Sequence, residues 1–494
     1  MTQTAQMERP VDIQGKPYNR MLLMTVMLVG AFVAILNQTI LSTALPHIME
    51  DLNITASTGQ WLTTAFLLTN GIMIPITAML IGKINSKTLF LTAMIVFTVG
   101  TVISAFSDSF ALLLTGRIIQ AAGAGILMPL MQTIFLLIFP PDRRGAAMGM
   151  VGLVIAFAPA IGPTLSGWIV DSYDWHMLFI ILIPIAVLDI IFAFFAMRKV
   201  VELTNPKIDI LSIALSTIGF GALLYGFSSA GTDGWTDGLV LTMFAVGVVG
   251  LVLFVWRQLK MEKPMLELRV FQSPVFTLST IISAIVMMSM IGAEIVLPLY
   301  IQNILGETAL HSGLLLLPGA IVMGVMSPIT GIIFDKIGPK LLAIVGMTLL
   351  VAGTIPFMFL TKDTSTMYII VFYAVRFFGI SMVMMPMSTA GMNSLPLNMM
   401  SHGTAVNNTI RQVAGSIGTA ILITVLSNVT KDNMPGKALA MTDPQAFQSQ
   451  ALTANLDGMK AAFLVAVAFA VVGLILSLFV KDIRPQGKKS VTNK

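Results

Sequence analysis

The chain of 494 residues is 56% apolar and only 10% charged, whereas roughly 25% of the residues in a soluble globular domain are charged. Its apolar runs reach about 20 residues or more, the length that crosses the ~30 Å hydrocarbon core of a bilayer, so a soluble protein is excluded. The net charge of +5 lies in short polar segments between these runs, and the absence of cysteine excludes disulfides and thiolate metal sites.

Fourteen apolar segments predict an all-α integral membrane protein with 14 transmembrane helices. Lys and Arg concentrate in the segments on the side of the amino terminus, which places both termini in the cytoplasm by the positive-inside rule. Membrane topology therefore explains the positive net charge, and no nucleic-acid partner is expected. The segment 429–458, between the last two spans, is predicted to be the longest outer loop.

Polar side chains interrupt the first and fourth spans. The first span contains Asn37 and Gln38 near its end, and the fourth contains Arg117 and Gln120. An unpaired cation inside a span costs at least ~2.5 kcal/mol, so Arg117 is expected either to face a central cavity or to extend to the membrane surface. These four side chains are candidates to line a substrate cavity.

The fifth span carries small residues at every third or fourth position, which form one side-chain-poor stripe on a helix. Such a stripe lets a neighbouring backbone approach closely in lipid. Two prolines within it each remove a backbone donor, so neighbouring groups must complete the hydrogen bonding. The span is either an ordinary kinked packing helix or a contact between moving parts. Its motif residues are Pro159, Gly162, Pro163 and Gly167.

Two acids lie within spans. Glu294, in the ninth span, has no Lys or Arg within one helical turn. Hydrocarbon disfavours the charged form of a carboxyl, so we predict that Glu294 takes up and releases a proton near neutral pH. A carboxyl that stays neutral for structural reasons is the alternative. Asp189 in the sixth span is a second candidate for proton coupling, although a peripheral position of that span would favour a structural role.

The twelfth and thirteenth spans add polar groups to the second part of the chain. Arg376 is a candidate to pair with an acid. The run that contains Asn407, Asn408 and Arg411 is the most polar stretch of any span. A run of amides with one cation is typical of a wet cavity wall, so these residues are further candidates to contact the substrate.

An approximate internal repeat relates the two parts of the chain. Arg117 matches Arg376, and the stretch 158–162 matches the stretch 414–418. We therefore predict a six-plus-six core that binds its substrate between the two halves near the midplane of the membrane. The predicted organisation is a tail at 1–20, an N-terminal six-helix half at 21–200, two inserted helices with linkers at 201–270, a C-terminal six-helix half at 271–481 and a tail at 482–494.

The loop after the tenth span places an acid at a helix end. The predicted cytoplasmic gate consists of Gly331, Asp335, Gly338 and Lys340. A carboxylate near helix amino termini and cationic loops can latch the helix ends together in one state. A tight glycine turn with solvated charges is the alternative. The corresponding loop of the first half, at 82–87, has no acid.

These motifs resemble those of the major facilitator superfamily. The sequence A-P-x-x-G-P-x-x-x-G at 158–167 is similar to the antiporter motif of its drug:proton antiporters, where it forms the sliding contact between the halves. Nearly the whole chain resembles the fourteen-helix branch, which includes quaternary-ammonium and lincomycin efflux pumps of Gram-positive bacteria. Asn37 stands where the family signature has an acid, and the repeat offset puts Glu294 at the mirror position of Asn37.

The resemblance implies a major-facilitator fold and a proton-coupled exporter of lipophilic or amphiphilic drugs, working by alternating access in a bacterial cytoplasmic membrane. The expected partners are a drug-like small molecule, protons and membrane lipids, and the protein is expected to be a monomer without cofactor or metal.

Two alternatives remain open at this point. Three arginines against two acids within the spans favour an exporter of an endogenous amphiphile, a lipid or an anionic metabolite. Asn37 and the degraded loop at 82–87 favour a non-transporting sensor on a transporter fold. The sequence has no Walker loop, no metal-ligand spacing among its histidines and no nucleophile–base pair, so neither an enzyme nor an ATP-driven pump is expected.

Overall fold

The computed structural model describes residues 10–206 and 208–481. Within these ranges fourteen helical segments are long and apolar enough to cross a membrane, which confirms the predicted all-α membrane protein. The predicted tail 482–494 and the first nine residues of the predicted tail 1–20 lie outside the described residues.

The first nine helices form eight of the predicted spans, with the short α6 and α7 together making one of them. Their bounds are α1 Arg20–Asp51, α2 Ala56–Lys83, α3 Ser86–Ala105, α4 Phe110–Ile138, α5 Arg144–Ser172, the short α6 Met177–Ile180, α7 Leu182–Ala196, α8 Ile210–Asp233 and α9 Gly238–Lys260. The remaining helices are α10 Pro274–Asn303, α11 Ala309–Ile337, α12 Pro339–Thr354, α13 Thr366–Asn393, α14 Met400–Asn433, the short α15 Lys437–Thr442 and α16 Pro444–Ser477.

Polar residues begin many of these helices because the first backbone N–H groups have no partner inside the helix. The Asn19 side chain accepts hydrogen bonds from the N–H groups of Met21 and Leu22 at the start of α1. Asn85 caps α3 and Asp237 caps α9 in the same way. These caps set the helix ends at the polar residues that interrupt the apolar runs.

The helices form two groups with a hairpin beside them. The N-terminal group (α1–α5 and α7) and the C-terminal group (α10–α14 and α16) each pack internally, and α5 lies along α11 between the groups. The hairpin of α8 and α9 packs through α8 on both α2 and α14. We call the end of the bundle where α1 begins the terminal face and the end where α1 finishes the opposite face.

The prediction of a loop at 429–458 is wrong, because most of that segment is helical. Helix α14 continues to Asn433, α15 follows at Lys437–Thr442, and α16 begins at Pro444. The Asp443 side chain caps α16 by accepting a hydrogen bond from the Ala446 N–H at 2.9 Å. Hydropathy marks the part of a helix that lies in lipid, whereas the helix-forming Ala, Gln and Leu residues here extend α16 beyond it.

Candidate functional site

A cavity of about 530 Å³ lies between the two groups, bounded by α1, α5, α10, α11 and α13. Apolar side chains form most of its wall, and its polar groups come from Thr39, Glu294, Gln302, Ser312 and Tyr373. Gln302 is exposed near the end of α10, so the cavity extends toward the opposite face. Its volume lies in the range of pockets that hold drug-sized ligands.

Glu294 is the acidic residue in the wall of this cavity, and it is only partly buried. Among the described residues it forms no ion pair within 4 Å, although Arg376 and Tyr373 on α13 interact with its charge. Pro298 also lines the cavity. Because proline has no N–H, the backbone carbonyl of Glu294 lacks its usual helical donor. The acid therefore lies at a polar break in an otherwise apolar wall.

The fifth-span motif forms one side of the same cavity. Pro159 and Pro163 line it, whereas Gly162 is buried against Thr39 of α1, whose side chain fills the space that a Cβ atom would need. Gly167 is half-buried farther along α5. The motif thus brings α5 close to α1 where the two helices border the cavity.

The cavity is closed at the terminal face by a latch between α5 and α11. The Asp335 carboxylate accepts hydrogen bonds from the Gly145 N–H at 2.8 Å and the Ala146 N–H at 2.9 Å. Both donors belong to the first turn of α5, where free N–H groups and the helix dipole favour an anion. Gly145 and Gly331 lie so close that a Cβ atom on either would strike the backbone carbonyl of the other.

The other predicted gate residues have simpler surroundings. Gly338 follows α11 with φ of 82°, a conformation that favours glycine and ends the helix. Lys340 is exposed, and among the described residues it forms no ion pair with Asp335. A neighbouring contact between the groups, from Arg144 Nη1 to Asn393 Oδ1 at 2.8 Å, was not predicted from the sequence.

We expect Asp335→Ala to open the terminal face. The change removes two charged hydrogen bonds, each of which contributes roughly 1.5–3 kcal/mol. Because the chain has no cysteine, a Met385→Cys reporter can be labelled uniquely. Met385 is 2% exposed and packs against Gly152 of α5, so it should react faster with a maleimide in Asp335→Ala.

Asp335→Asn, which retains one carbonyl acceptor, should give an intermediate labelling rate. Lys336→Ala is the matched control, because Lys336 is exposed beside Asp335. Equal labelling of the parent and Asp335→Ala would mean that the carboxylate does not hold the terminal face closed.

Arg117 lies inside the N-terminal group and does not line the cavity. It is fully buried, with Nη1 donating to the Asn37 backbone carbonyl at 3.3 Å and to Gln120 Oε1 at 3.0 Å. Its guanidinium lies 4.2 Å from the centre of the Phe66 ring. Gln120 Nε2 also donates to Asn37 Oδ1 at 3.3 Å and to Thr101 Oγ1 at 3.0 Å. Arg117 therefore joins α4 to α1, and it does not extend to the membrane surface.

We expect Arg117→Lys to destabilise the protein. The cation–π contact contributes about 0.5–2 kcal/mol and each lost hydrogen bond about 1 kcal/mol, and an ammonium cannot replace the planar fork of the guanidinium. Thermal unfolding in detergent measures the loss. Arg143→Lys at an exposed position is the control and should leave the midpoint unchanged. An unchanged midpoint with altered drug affinity would instead indicate that Arg117 contacts the substrate.

Arg376 occupies a buried position in the C-terminal group. Its Nε donates to Thr354 Oγ1 at 3.0 Å and its Nη2 donates to the Ser289 carbonyl. Gly353 of α12 packs against the backbone of Arg376 as Gly100 of α3 packs against that of Gln120. Arg376 thus corresponds in space to Gln120, so the sequence match to Arg117 is displaced by about one helical turn.

The polar run of α14 faces the interior between the groups. Asn408 Nδ2 donates to Gln132 Oε1 of α4 at 2.7 Å, which is a direct hydrogen bond across the interface. Asn407 Nδ2 donates to Ser388 Oγ at 3.2 Å. Arg411 is 7% exposed, and its Nε and Nη1 atoms have no hydrogen-bond partner among the described residues. These three residues do not line the 530 Å³ cavity.

The remaining predicted residues lie apart from the cavity. Asp189 of α7 is 3% exposed, and its carboxylate and the sulfur of Met94 of α3 both lie against Gly30 of α1. Gln38 is half-buried on α1. Asn37 lies within the N-terminal group beside Gln120, whereas Glu294 lies in the cavity wall, and the mirror relation between them stays a prediction.

Sequence reasoning missed several polar residues of the cavity. Tyr373 lies one helical turn before Arg376, and Thr39 follows the predicted Gln38. Tyr373 could have been found by extending the candidate Arg376 along its helix face, whereas Thr39, one residue after Gln38, lies on a different face. Gln302 and Ser312 carried no comparable signal, because polar residues near helix ends are common.

Two groups of membrane-spanning helices around a cavity that is closed at one face form the architecture of a membrane transporter. The model of the Major Facilitator Superfamily matches residues 27–419. The chain therefore belongs to the major facilitator superfamily, a family of transporters and not of enzymes.

Relatives and solved structures agree with this assignment. The chain is 55% identical over 475 residues to the uncharacterized MFS-type transporter YcnB of Bacillus subtilis, covering 96% of this chain and 98% of YcnB. It is 45% identical to the lincomycin resistance protein LmrB of the same organism, covering 95% of this chain and 98% of LmrB. The structure of the proton:xylose symporter XylE has a TM-score of 0.65 at 13% identity, covering 94% of this chain and 97% of XylE, and this likeness concerns the fold alone.

Proposed function

We propose that this transporter exports lipophilic, drug-like molecules in exchange for protons. The observation that carries the proposal is the cavity itself, in which Glu294 is the acid in a largely apolar wall. An apolar wall suits lipophilic molecules of varied shape, and a carboxyl can bind either a proton or a cationic or hydrogen-bonding drug. The lincomycin resistance of a relative, as its name states, supports a drug as the substrate.

Alternating access gives each contact a role in this proposal. The two six-helix halves, 21–200 and 271–481, rock against each other with 201–270 as inserted helices and linkers. Opening of the terminal face would break the Asp335 latch and the hydrogen bond between Asn408 and Gln132. Protons would reach Glu294 when the cavity opens at the opposite face, and the drug would then leave.

The orientation in the membrane follows from charge. Lys and Arg concentrate on the terminal face, so we assign that face and both termini to the cytoplasm of a bacterial cell. The described cavity then faces outward. Asp189 remains a second candidate for proton coupling, but its packing among α1, α3 and α7 favours Glu294.

Purified protein in liposomes tests the proposal. With an acidic lumen and inside-out orientation, lincomycin or ethidium should accumulate in the vesicles. A protonophore should abolish the accumulation, because the gradient supplies the driving free energy. Accumulation that persists after the gradient is collapsed would exclude proton coupling, and no accumulation of either compound would exclude drug export.

A second candidate is the export of an anionic amphiphile. Arg411 favours it, because this buried cation between the groups has free donors at Nε and Nη1 among the described residues. An anionic amphiphile would then compete with ethidium in the liposome assay, and Arg411→Gln would remove that competition. Membership of a transporter family favours both candidates over a non-transporting sensor.

A further inference from the structure

Three cationic residues meet at the terminal face of the N-terminal group. Lys87 lies in the first turn of α3, and Arg198 and Lys199 follow the end of α7. Ser86 joins the two segments, because its Oγ atom donates to the Arg198 carbonyl at 2.8 Å and accepts from the Val200 N–H at 3.0 Å. The charges of Arg198 and Lys199 consequently act on Lys87. We call Lys87, Arg198 and Lys199 the basic cluster.

No acid among the described residues neutralises the basic cluster. None of its side chains forms an ion pair in the part of the chain that the structure describes, and the Nε atom of Arg198 is buried there without a hydrogen-bond partner. The loop of Asp12 reaches the cluster, since the Ile13 N–H donates to the Lys199 carbonyl at 3.1 Å. However, the Asp12 carboxylate accepts from two backbone N–H groups of its own loop. Glu202, farther along the segment after α7, is exposed.

The basic cluster borders an apolar face that points out of the bundle. The Lys87 Nζ atom lies 4.5 Å from the centre of the Phe194 ring and donates to the Phe194 carbonyl at 2.5 Å. Phe194 and Phe195 are 58% and 68% exposed, and the exposed residues Ile191 and Leu188 continue this face along α7 at helical spacing. The span formed by α6 and α7 ends at this point. The exposed face therefore contacts hydrocarbon, and the cluster lies where the hydrocarbon ends.

We propose that the basic cluster binds the phosphate of an anionic phospholipid, whose acyl chains lie along the exposed face of α7. Grouped Lys and Arg side chains at the end of a span match an anionic headgroup, and a phosphate accepts charged hydrogen bonds from ammonium and guanidinium donors. The apolar face of α7 gives no preference among lipids, because it contacts hydrocarbon in every case. The headgroup therefore provides the selectivity.

The positive-inside rule alone does not explain this arrangement. The rule requires Lys and Arg on one face of the membrane, but it does not require that three of them lie together without an acid. Elsewhere on this face, Arg257 pairs with Asp209 at 2.7 Å, and Arg269 has an acidic partner as well. Like charges held together by backbone hydrogen bonds repel, and a bound anion relieves that repulsion. Three cations at the surface correspond to a preference on the order of 100-fold for an anionic over a zwitterionic lipid.

The bound lipid would hold the segment between α7 and α8 against the start of α3. Farther along this segment, the N–H groups of Thr204 and Asn205 donate to the Gly82 carbonyl of α2 at 3.0 and 3.1 Å. The lipid would thus add to the contacts that tie the connection to the α8–α9 hairpin to the N-terminal group. The proposal does not depend on the transported molecule, because no residue of the basic cluster lines the central cavity.

Photocrosslinking in phosphatidylcholine nanodiscs tests the proposal. A trace of phosphatidylglycerol with a diazirine in its acyl chain should label the exposed face of α7 near Leu188 and Ile191. Unlabelled phosphatidylglycerol should displace this label on the order of 100-fold more effectively than phosphatidylcholine. The triple variant Lys87→Gln, Arg198→Gln, Lys199→Gln should abolish that preference, and Lys199→Gln alone should reduce it about five-fold.

A triple variant elsewhere on the terminal face is the matched control. Lys263→Gln, Lys336→Gln and Lys340→Gln remove the same charge from exposed positions and should leave the preference unchanged. Lys199→Gln alters a single exposed side chain, so it tests the proposal even if the triple cluster variant does not fold. Equal displacement by both lipids in the parent, an unchanged preference in Lys199→Gln, or an equal loss of preference in the two triple variants would overturn the proposal. Displacement by inorganic phosphate would assign the cluster to a soluble anion and would also overturn it.

Discussion

Glu294→Gln is expected to abolish uphill drug transport in liposomes while the protein still binds drug. Glutamine preserves the shape of the side chain in the cavity wall but cannot take up and release a proton. In the parent, the proton and the drug compete at one site, so drug affinity should rise as the pH rises through neutrality. In Glu294→Gln the affinity should be independent of pH.

Proton release on drug addition to the purified protein provides the decisive measurement. By linkage, a drug that binds better to the deprotonated protein must displace protons, and a site without the carboxyl cannot release them. Asp189→Asn is the matched control, because Asp189 is a buried acid outside the cavity. Equal proton release by the parent and Glu294→Gln, together with loss of release in Asp189→Asn, would move the coupling to Asp189.

Gly149→Ala is expected to force α5 and α11 apart and to shift the protein toward opening at the terminal face. The added Cβ atom would lie 2.5 Å from the Ser327 carbonyl oxygen and 2.7 Å from the Pro328 Cα atom. Both atoms belong to the backbone, so no side-chain rotation relieves the collision. By analogy with overpacked protein cores, the expected cost is roughly 1–3 kcal/mol, and Gly149→Leu should have a larger effect.

The Met385→Cys reporter measures this shift, and export from cells measures its consequence. Labelling should accelerate in Gly149→Ala and export should fall at equal expression. Gly313→Ala is the control on the same helix pair, because its Cβ atom would lie 3.5 Å from Thr164 Oγ1, an ordinary contact distance. Gly162→Ala should have a smaller effect than Gly149→Ala, because the first atoms that its added Cβ would meet belong to the side chain of Thr39 and not to the backbone. Normal export by Gly149→Ala would show that the contact between α5 and α11 can widen without loss of transport.

The sequence by itself determined the class and the number of spans, but not the set of helices that border the cavity, because the predicted cavity residues of α4 and α14 do not line it whereas α11 does. Apolar runs of sufficient length can only be satisfied in a bilayer as helices, since each helix completes its own backbone hydrogen bonds. The small residues and prolines of α5 and the isolated acid Glu294 were also evident from the sequence, because each is a local departure from an otherwise apolar span.

Only the tertiary structure decided which buried polar side chains meet the cavity. Arg117 and Glu294 look alike in sequence, as single charges within apolar spans, yet Arg117 binds the backbone of α1 and Glu294 lines the cavity. The direction of a side chain depends on the rotation of its helix and on the helices packed around it. The apparent match of Arg117 to Arg376 failed for a different reason, because a displacement by one turn keeps the same helix face but changes the neighbouring side chains.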